Sequence, residues 1–283
     1  MSGGRSARQR VGRRDGILLK SEDEIARMRR AGQVVALCLQ RLAEAARPGV
    51  TTGELDRLAE ALIRSLGGKP TFYGLYGYPA HVCISLDDEV VHGIPGERAL
   101  ESGSLVSFDV GVTVEGMIAD GAVTVGVGRV TPEAERLMRV TREALAAGIA
   151  QARPGNRVAD ISAAIQGYVE SHGYAVVRKL VGHGVGRKAH EPPQVPNFVE
   201  RGEAGSATLA PGMTLALEPM VNEGTWEVVQ DPDGWTYRTR DGSLSAHYEH
   251  TVAITEDGCE VLTELAPALR RAGGAAPAEE QAR

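Results

Sequence analysis

Four carboxylates and one histidine lie within, or at the end of, apolar stretches typical of β-strands. They are Asp109, Asp120, His183, Glu218 and Glu249. An acid on an apolar strand costs free energy to bury unless it is paired or binds a metal ion. Two divalent cations would bring four carboxylates to formal neutrality, and two ions about 3.5–4 Å apart are a common arrangement for metal-assisted hydrolysis. The sequence therefore predicts a dinuclear hydrolytic site.

The four acids form two pairs that repeat along the chain. Residues 103–109 and 212–218 each run from a glycine through apolar residues to an acid, and residues 120–125 and 249–254 each begin with an acid. The short-spaced cysteine or histidine clusters of structural zinc sites do not occur in the sequence. Ligation rich in carboxylates favours Mn(II) and Fe(II) and tolerates Co(II) and Zn(II).

Four predicted helices frame these strands. The first two begin with a capping box of Ser or Thr followed by Glu, and all four end near a Gly or Pro-Gly step. The predicted starts are Ser21, Thr51, Thr131 and about residue 158. The order helix, helix, strand, His-Gly and two acid-bearing strands occurs twice, with His92-Gly93 and His183-Gly184 in matching places. We therefore predict one α+β domain of two similar halves, with helices on one face of a curved, mainly antiparallel sheet and the site between the halves.

The composition favours a compact cytoplasmic protein. The chain has 283 residues, of which 42% are apolar, so it can bury a sizeable core. Its net charge of −6 argues against DNA or other nucleic acid as the main partner. The three cysteines form no C-x-x-C pair, which favours a reducing compartment. No stretch has the length and apolarity of a membrane helix or the core of a signal peptide, so no membrane partner is expected.

The two ends of the chain differ in composition from its body. Residues 1–14 contain five arginines and no acid: Arg5, Arg8, Arg10, Arg13 and Arg14. Three interpretations remain open, namely a solvated tail, a tether to a polyanion such as ribosomal RNA, and a transit peptide. We predict a disordered basic tail over residues 1–15, one catalytic domain over 16–268 and a disordered tail over 269–283.

Six ordered motifs over about residues 17–263 resemble those of type I methionine aminopeptidases. They are Val91-His92-Gly93-Ile94-Pro95, Phe108-Asp109-Val110, Gly182-His183-Gly184-Val185-Gly186, His190-Glu191-x-Pro193-Gln194-Val195, Glu218-Pro219-Met220 and Tyr248-Glu249-His250-Thr251. The resemblance implies the pita-bread fold, whose pseudo-twofold halves agree with the repeat. It also implies a monomeric enzyme that removes methionine from the N-termini of nascent polypeptides and prefers a small second residue.

The resemblance implies a ligand set for two divalent ions, Co, Mn, Fe or Zn. Asp120 and Glu249 would bridge both ions. His183 and Glu218 would complete one ion's coordination, and Asp109 would chelate the other. A metal-bridging hydroxide would then attack the carbonyl of the N-terminal methionine.

The resemblance further implies three catalytic side chains. Glu218 would accept a proton from the attacking water, and His190 would stabilise the tetrahedral oxyanion. His92 would contact the scissile amide and assist the departure of the amine.

A pocket for the methionine side chain is implied around Tyr78, Cys83 and Trp235, with Phe72 and Leu75 on the adjoining loop. A plain buried thiol at Cys83 and an ordinary turn aromatic at Trp235 remain alternatives. Three positions depart from the family pattern. Ile118-Ala119 precedes Asp120 where the family usually has His-Gly. Ala189 replaces an aromatic residue that often precedes His190, which predicts a wider mouth, and His247 replaces a common glutamine.

Two other functions remain to be weighed. Prolidase and aminopeptidase P share the fold and the metal ligands, so an X-Pro peptidase is the first alternative. The context of His92-Gly93-Ile94-Pro95 with Tyr78 and Trp235 favours methionine over it. An inactive module that binds the ribosome or RNA is the second alternative. That module would be expected to lack ligands, and all five are present.

Overall fold

The structure is a computed structural model, and it describes residues 13–14, 16–199 and 206–265. The four helices are α1 (Glu22–Ala45), α2 (Thr52–Ser65), α3 (Pro132–Gln151) and α4 (Val158–Ser171), with a 3₁₀ turn at Leu75–Gly77. The strands are β1 (Arg13–Arg14), β2 (Ile17–Leu18), β3 (Lys69–Pro70), β4 (Cys83–Leu86), β5 (Glu89–Val91), β6 (Leu105–Val114), β7 (Met117–Gly126), β8 (Ala175–Val176), β9 (Gly182–Gly184), β10 (Glu191–Val195), β11 (Thr214–Leu217), β12 (Met220–Asn222), β13 (Val228–Gln230), β14 (Tyr237–Thr239), β15 (Ser245–His247), β16 (Glu249–Ile254) and β17 (Cys259–Val261).

The helices begin where their capping residues predict. Ser21 and Glu24 form a reciprocal capping box at α1, because Ser21 Oγ accepts from the Glu24 amide and Glu24 Oε2 accepts from the Ser21 amide. Thr51 and Glu54 repeat this arrangement at α2. At α3 the hydroxyl of Thr131 caps the helix and a proline occupies the first turn. All four predicted helices are confirmed.

A nine-stranded sheet joins two similar halves. Its main path runs β10-β9-β11-β16-β7-β6-β3, and β17 and β4 pair with β16 and β6. Every pairing in it is antiparallel. The predicted α+β architecture with an antiparallel sheet is therefore confirmed. The first half contributes β6 and β7, which pair over ten register positions, and the second contributes β11 and β16.

The two halves meet where β16 pairs with β7, and we call this contact the seam. Its register pairs are Glu249 with Ala122 and His250 with Gly121. Two threonine hydroxyls extend it. Thr251 Oγ1 accepts from the Asp120 amide at 2.9 Å and donates to the Asp120 carbonyl at 2.8 Å. Thr124 Oγ1 makes the same pair of contacts with the backbone of His247, at 2.8 and 2.9 Å.

Each half has its own apolar core beneath its helices. In the first half, α1 and α2 pack on β4 and β6 around the fully buried Phe108. In the second half, α3 and α4 pack on β11 and β16 around Ile161 and Ile165. Burial of these faces is the main source of stability, and it fixes both pairs of acid-bearing strands against the seam.

The predicted tails lie largely outside the described residues. Arg13–Arg14 is described and pairs with Ile17–Leu18 as a short antiparallel ladder, so regular structure begins before the predicted boundary at residue 16. The rest of residues 1–15, and all of 269–283, lie outside the described residues, and the predicted domain limits stay a prediction. No helix in the described part of the chain combines the length and apolarity needed to cross a membrane.

Candidate active site and metal centre

The strands carry the four predicted acids to the seam from both sides. Asp109 and Asp120 lie in the middle of the paired strands β6 and β7. Glu249 begins β16 at the seam, and Glu218 directly follows β11. The side-chain amide of Asn197 donates to the Glu218 carbonyl at 3.0 Å, which fixes the backbone beyond the end of β11.

His183 reaches the acids from β9, which pairs with β11 and β10 on either side. A Cβ atom at Gly182 would lie 2.5 Å from the Ala216 carbonyl oxygen, and one at Gly184 would lie 2.4 Å from that of Pro192. Only glycine therefore permits this close approach of strands. His183 Nδ1 lies 2.9 Å from the Gly184 carbonyl, so it must donate, which leaves Nε2 as a free acceptor facing the acids.

All five predicted ligands lie around one cavity of about 200 Å³. Candidate ligand atoms of Asp120, His183 and Glu249 lie within 4.8 Å of one another. His183 Nε2 is 3.4 Å from Glu218 Oε1. Burial raises the pKa of Asp109, and Asp120 is close enough that its charge raises that pKa further. The structure thus brings the five side chains together in one cluster.

The electrostatics of this cluster favour a cation. Burial, and then the charge of Asp120, raises the pKa values of Asp109, Glu218 and Glu249 well above their ordinary range. Burial also raises the pKa of Asp120 to about 7. Among the described residues, Asp109 Oδ1 and Glu249 Oε1 are buried without a hydrogen-bond partner.

The residues present fit divalent metal ions. Buried acids packed this closely repel one another when ionised, and a cation would both relieve that repulsion and pair with the unpartnered oxygens of Asp109 and Glu249. Burial lowers the pKa of His183 to about 4, so its imidazole is neutral at physiological pH, as a ligand must be. A donor set of four carboxylates and one imidazole suits hard or borderline divalent cations.

Two further histidines, both predicted from the sequence, lie beside the cluster and line the same cavity. His92 follows β5 with a φ of 60°, a strained conformation for a residue other than glycine. Burial and the neighbouring charge of His190 lower the pKa of His92 to about 4. His190 packs edge-on against His183, with ring centroids 4.4 Å apart, and burial lowers its pKa.

An aromatic side chain that the sequence did not indicate covers His190. Tyr76 has a φ of 52°, is 74% exposed and stacks on the His190 ring at 5.7 Å between centroids. Its hydroxyl lies 3.4 Å from His190 Nδ1. Ala189 is buried against Met28 and Val185 and does not line the cavity. The ring at the mouth therefore comes from the first half of the chain.

The five predicted pocket residues line the apolar end of the cavity. The rings of Tyr78 and Trp235 meet edge-on at 5.1 Å, and the Tyr78 hydroxyl donates to the Gly93 carbonyl at 2.8 Å. Cys83 lies opposite Asp109 in the register of β4 and β6 and lines the same cavity, so the pocket adjoins the acids. Trp235 is more than a turn aromatic, since the hairpin of β13 and β14 carries it into the cavity wall.

Three other residues line the cavity but were not predicted from the sequence to do so: Val91, Leu180 and Val181. Val91 and Val181 lie one or two residues before His92 and His183, so adjacency to the histidines was the available signal. His250, which strand alternation predicts to point away from Glu249, does not line the cavity, and its Nδ1 lies 2.8 Å from the Thr263 hydroxyl. His247 is fully buried and does not line the cavity. Neither of its ring nitrogens has a hydrogen-bond partner among the described residues.

Known proteins are similar to this chain in sequence and in fold. The model of metallopeptidase family M24 matches residues 26–256. Methionine aminopeptidase of Clostridium perfringens is 52% identical over 247 residues, which cover 87% of this chain and 98% of that protein. The crystal structure of methionine aminopeptidase from Thermotoga maritima matches with a TM-score of 0.85 at 45% identity, covering 88% of this chain and 99% of that one.

Prolidase from Pyrococcus horikoshii OT3 matches with a TM-score of 0.69 at 22% identity, over 88% of this chain and 64% of that one. This likeness shows the shared pita-bread fold alone. The match to the family model and the high identity over nearly whole relatives go further, and they agree with the cluster of acids and histidine at the seam. The chain belongs to metallopeptidase family M24, as one of its methionine aminopeptidases.

Proposed function

We propose that this protein removes methionine from the N-termini of nascent polypeptides, with a preference for a small second residue. The observation that carries the proposal is the joining of two features in one cavity. A buried cluster of four acids and one histidine borders a closed apolar pocket, and two more histidines lie beside it. Relatives named methionine aminopeptidase cover nearly all of the catalytic region.

We propose that the cluster holds two divalent ions drawn from Mn, Fe, Co and Zn. Asp120 and Glu249 come from opposite sides of the seam, and they would hold the ions together with His183, Glu218 and Asp109. Bound there, such ions would polarise the scissile carbonyl and lower the pKa of a water molecule.

The chain's own groups supply the remaining chemistry. His190, at the mouth beside His183, is placed to donate a hydrogen bond to the developing oxyanion. His92 follows β5 in the first half and lines the same cavity, and it would pass a proton to the leaving amine. Glu218 would accept the water proton, since its carboxyl lies in the cluster, 3.4 Å from His183 Nε2, and would be ionised while it holds an ion.

The pocket selects methionine by shape and apolarity. Phe72, Tyr78, Cys83 and Trp235 enclose it, and the one hydroxyl among them already donates to the Gly93 carbonyl. An unbranched thioether therefore meets no unpaired polar group and packs against aromatic edges, which sulfur favours. A polar side chain would lose hydrogen bonds to water without replacement.

We further propose where the enzyme works and what it contacts. The substrate is the N-terminus of a newly made chain, which places the enzyme in the cytoplasm. The basic residues 1–14 are a candidate tether to the ribosome, and they lie largely outside the described residues.

The test is hydrolysis of Met-Ala-Ser by the metal-free protein titrated with Mn(II), Fe(II), Co(II) and Zn(II). We expect metal-dependent release of methionine that is lost in Asp109→Ala and retained in Glu97→Ala, an exposed acid outside the cavity. Faster cleavage of Gly-Pro peptides than of Met-Ala-Ser would instead favour the X-Pro peptidase. Tight metal binding without cleavage of either would favour a binding module.

A further inference from the structure

A buried ion pair lies next to His190, outside the cavity. Lys20 Nζ donates to Glu191 Oε2 at 2.6 Å, and the two side chains are 1% and 2% exposed. The other oxygen, Glu191 Oε1, accepts from the backbone amides of Arg187 and Lys188 at 2.7 and 2.8 Å. One carboxylate therefore closes the turn 187–191, and His190 is the residue before it.

The turn belongs to the second half, but its anchors belong to the start of the first. Lys20 precedes α1, and its amide donates to the Gly212 carbonyl at 2.7 Å. Arg187 makes a two-pronged pair with Glu24 at 2.7 and 2.8 Å, and Glu24 also caps α1. Two ion pairs thus clamp the turn to the first turn of a helix in the other half.

Stability alone is a poor explanation for this arrangement. Desolvation of both charges offsets much of the attraction in a buried pair, and well-packed apolar side chains often replace such pairs without loss. What an apolar pair could not replace is Glu191 Oε1, which satisfies two amides that would otherwise be unpaired.

The His190 ring depends on this turn for its position. Within the described ranges its hydrogen-bond partner is the Tyr76 hydroxyl, at a long 3.4 Å, and its other contacts are ring packing against Tyr76 and His183. The backbone that carries the ring must therefore fix its place over the cavity.

We propose that Lys20 and Glu191 are positioning residues for His190, holding the 187–191 turn so that the imidazole faces the cavity. This inference rests on the proposed function for the meaning of His190, but not for the geometry of the turn. Lys20 neutralises and orients Glu191, and Glu191 shapes the turn.

The test compares two double variants that both remove the charges. Lys20→Met with Glu191→Gln keeps a side-chain oxygen that can accept from the two amides. Lys20→Met with Glu191→Met removes the acceptor. Neither variant alters a metal ligand or a cavity residue.

We expect kcat for Met-Ala-Ser to be about 10–100-fold lower in the Met/Met variant than in the Met/Gln variant, the range for residues that support an active group. KM and calorimetric metal affinity should be unchanged. Amide exchange at residues 187–188, followed by mass spectrometry, should be faster in Met/Met only. If Met/Met does not fold, Glu191→Asp, which shortens the carboxylate's reach, should show the same fall in kcat.

Equal kcat values in the two double variants would overturn the proposal. So would a fall in kcat in both variants that is accompanied by an equal loss of thermal stability in both. A wild-type protein that cleaves no methionyl peptide with any ion would refute the proposed function instead. In that case, amide exchange alone tests whether Glu191 holds the 187–191 turn. Selective acceleration in Met/Met supports it, and equal protection in both variants overturns it.

Discussion

The two halves of the molecule use the same strand frame in different ways. In the first half, the acid-bearing strands β6 and β7 are joined directly by a tight turn at Glu115-Gly116. In the second half, four further strands, β12 to β15, separate β11 from β16. The hairpin of β13 and β14 within that insertion pairs with β5 of the first half and carries Trp235 to the pocket.

The difference assigns separate tasks to repeated and unrepeated parts. The repeated strands supply two acids from each half, which gives a nearly symmetric cluster. The unrepeated parts, namely the 72–78 loop and the inserted hairpin, supply the aromatic side chains of the apolar pocket, and β4 adds Cys83. Even the matching His-Gly steps diverge, because His183 is held inside a strand pair whereas His92 lies beyond the end of β5.

The largest effects are expected when one acid from each half is replaced, which tests whether both halves are needed for turnover. Asp120→Asn and Glu249→Gln should each abolish turnover, a loss beyond the roughly 10²–10³-fold of a single oxyanion donor. Steady-state assays with each metal measure this. Loss in one variant only would show that a single half holds the ions.

Asp120→Asn should also stabilise the metal-free protein. The raised pKa of Asp120, from 3.8 to about 7, means that ionisation opposes folding as pH rises between those values. The gain in melting temperature should therefore be absent below about pH 4, grow toward pH 7 and then level off. A gain that did not vary with pH would contradict this cause.

The next effect separates two neighbouring histidines of the second half, His183 and His190. His190→Ala should lower kcat by about 10²–10³-fold with metal affinity retained, since the ring would act on the oxyanion and lies outside the ligand set. His183→Ala should instead weaken metal binding in calorimetry, because its Nε2 faces the acids. Equal metal affinities in the two variants would contradict this division.

A smaller effect tests the pocket that the inserted hairpin completes. Trp235→Ala should lower kcat/KM for methionyl peptides by about 10–200-fold, the range for losing part of an apolar pocket. Trp226→Ala is the matched control, because Trp226 is 43% exposed, packs against Arg178 and does not line the cavity. Equal losses in the two variants would show that the hairpin does not set specificity.

The smallest effect concerns the link between α1 and the His190 turn. Burial alone would raise the pKa of Glu24, but hydrogen bonds from Arg187 and Ser21 outweigh it and lower the pKa from 4.5 to about 2. The resulting stability is present above about pH 4.5 and is lost as pH falls through 2.

Glu24→Gln should therefore lower the melting temperature by about 1–3 °C at pH 6, and the difference should vanish toward pH 2. Glu22→Gln, an exposed acid in the same helical turn, is the control and should show little change. A difference for Glu24→Gln that persists at pH 2 would rule out the ionised pair as its source.

Local signals predicted much of the fold. Capping boxes located α1 and α2, and the repeat of apolar runs ending in acids located the paired strands. Contacts between distant segments could not be predicted in this way. The stacking of Tyr76 on His190, the Lys20–Glu191 pair and the pairing of β14 with β5 each join residues far apart in sequence, and no periodicity reports them.

The seam between the halves is narrow, so ions bound in the cluster would affect how firmly the halves are joined. Across it the halves share two register pairs and the contacts of Thr124 and Thr251, against ten register pairs within the β6–β7 hairpin. Asp120 and Glu249 face each other there, so ions shared between them would cross-link segments far apart along the chain, much as a disulfide does. Opening of the seam would then release the ions, and ions bound there would hold the two halves together.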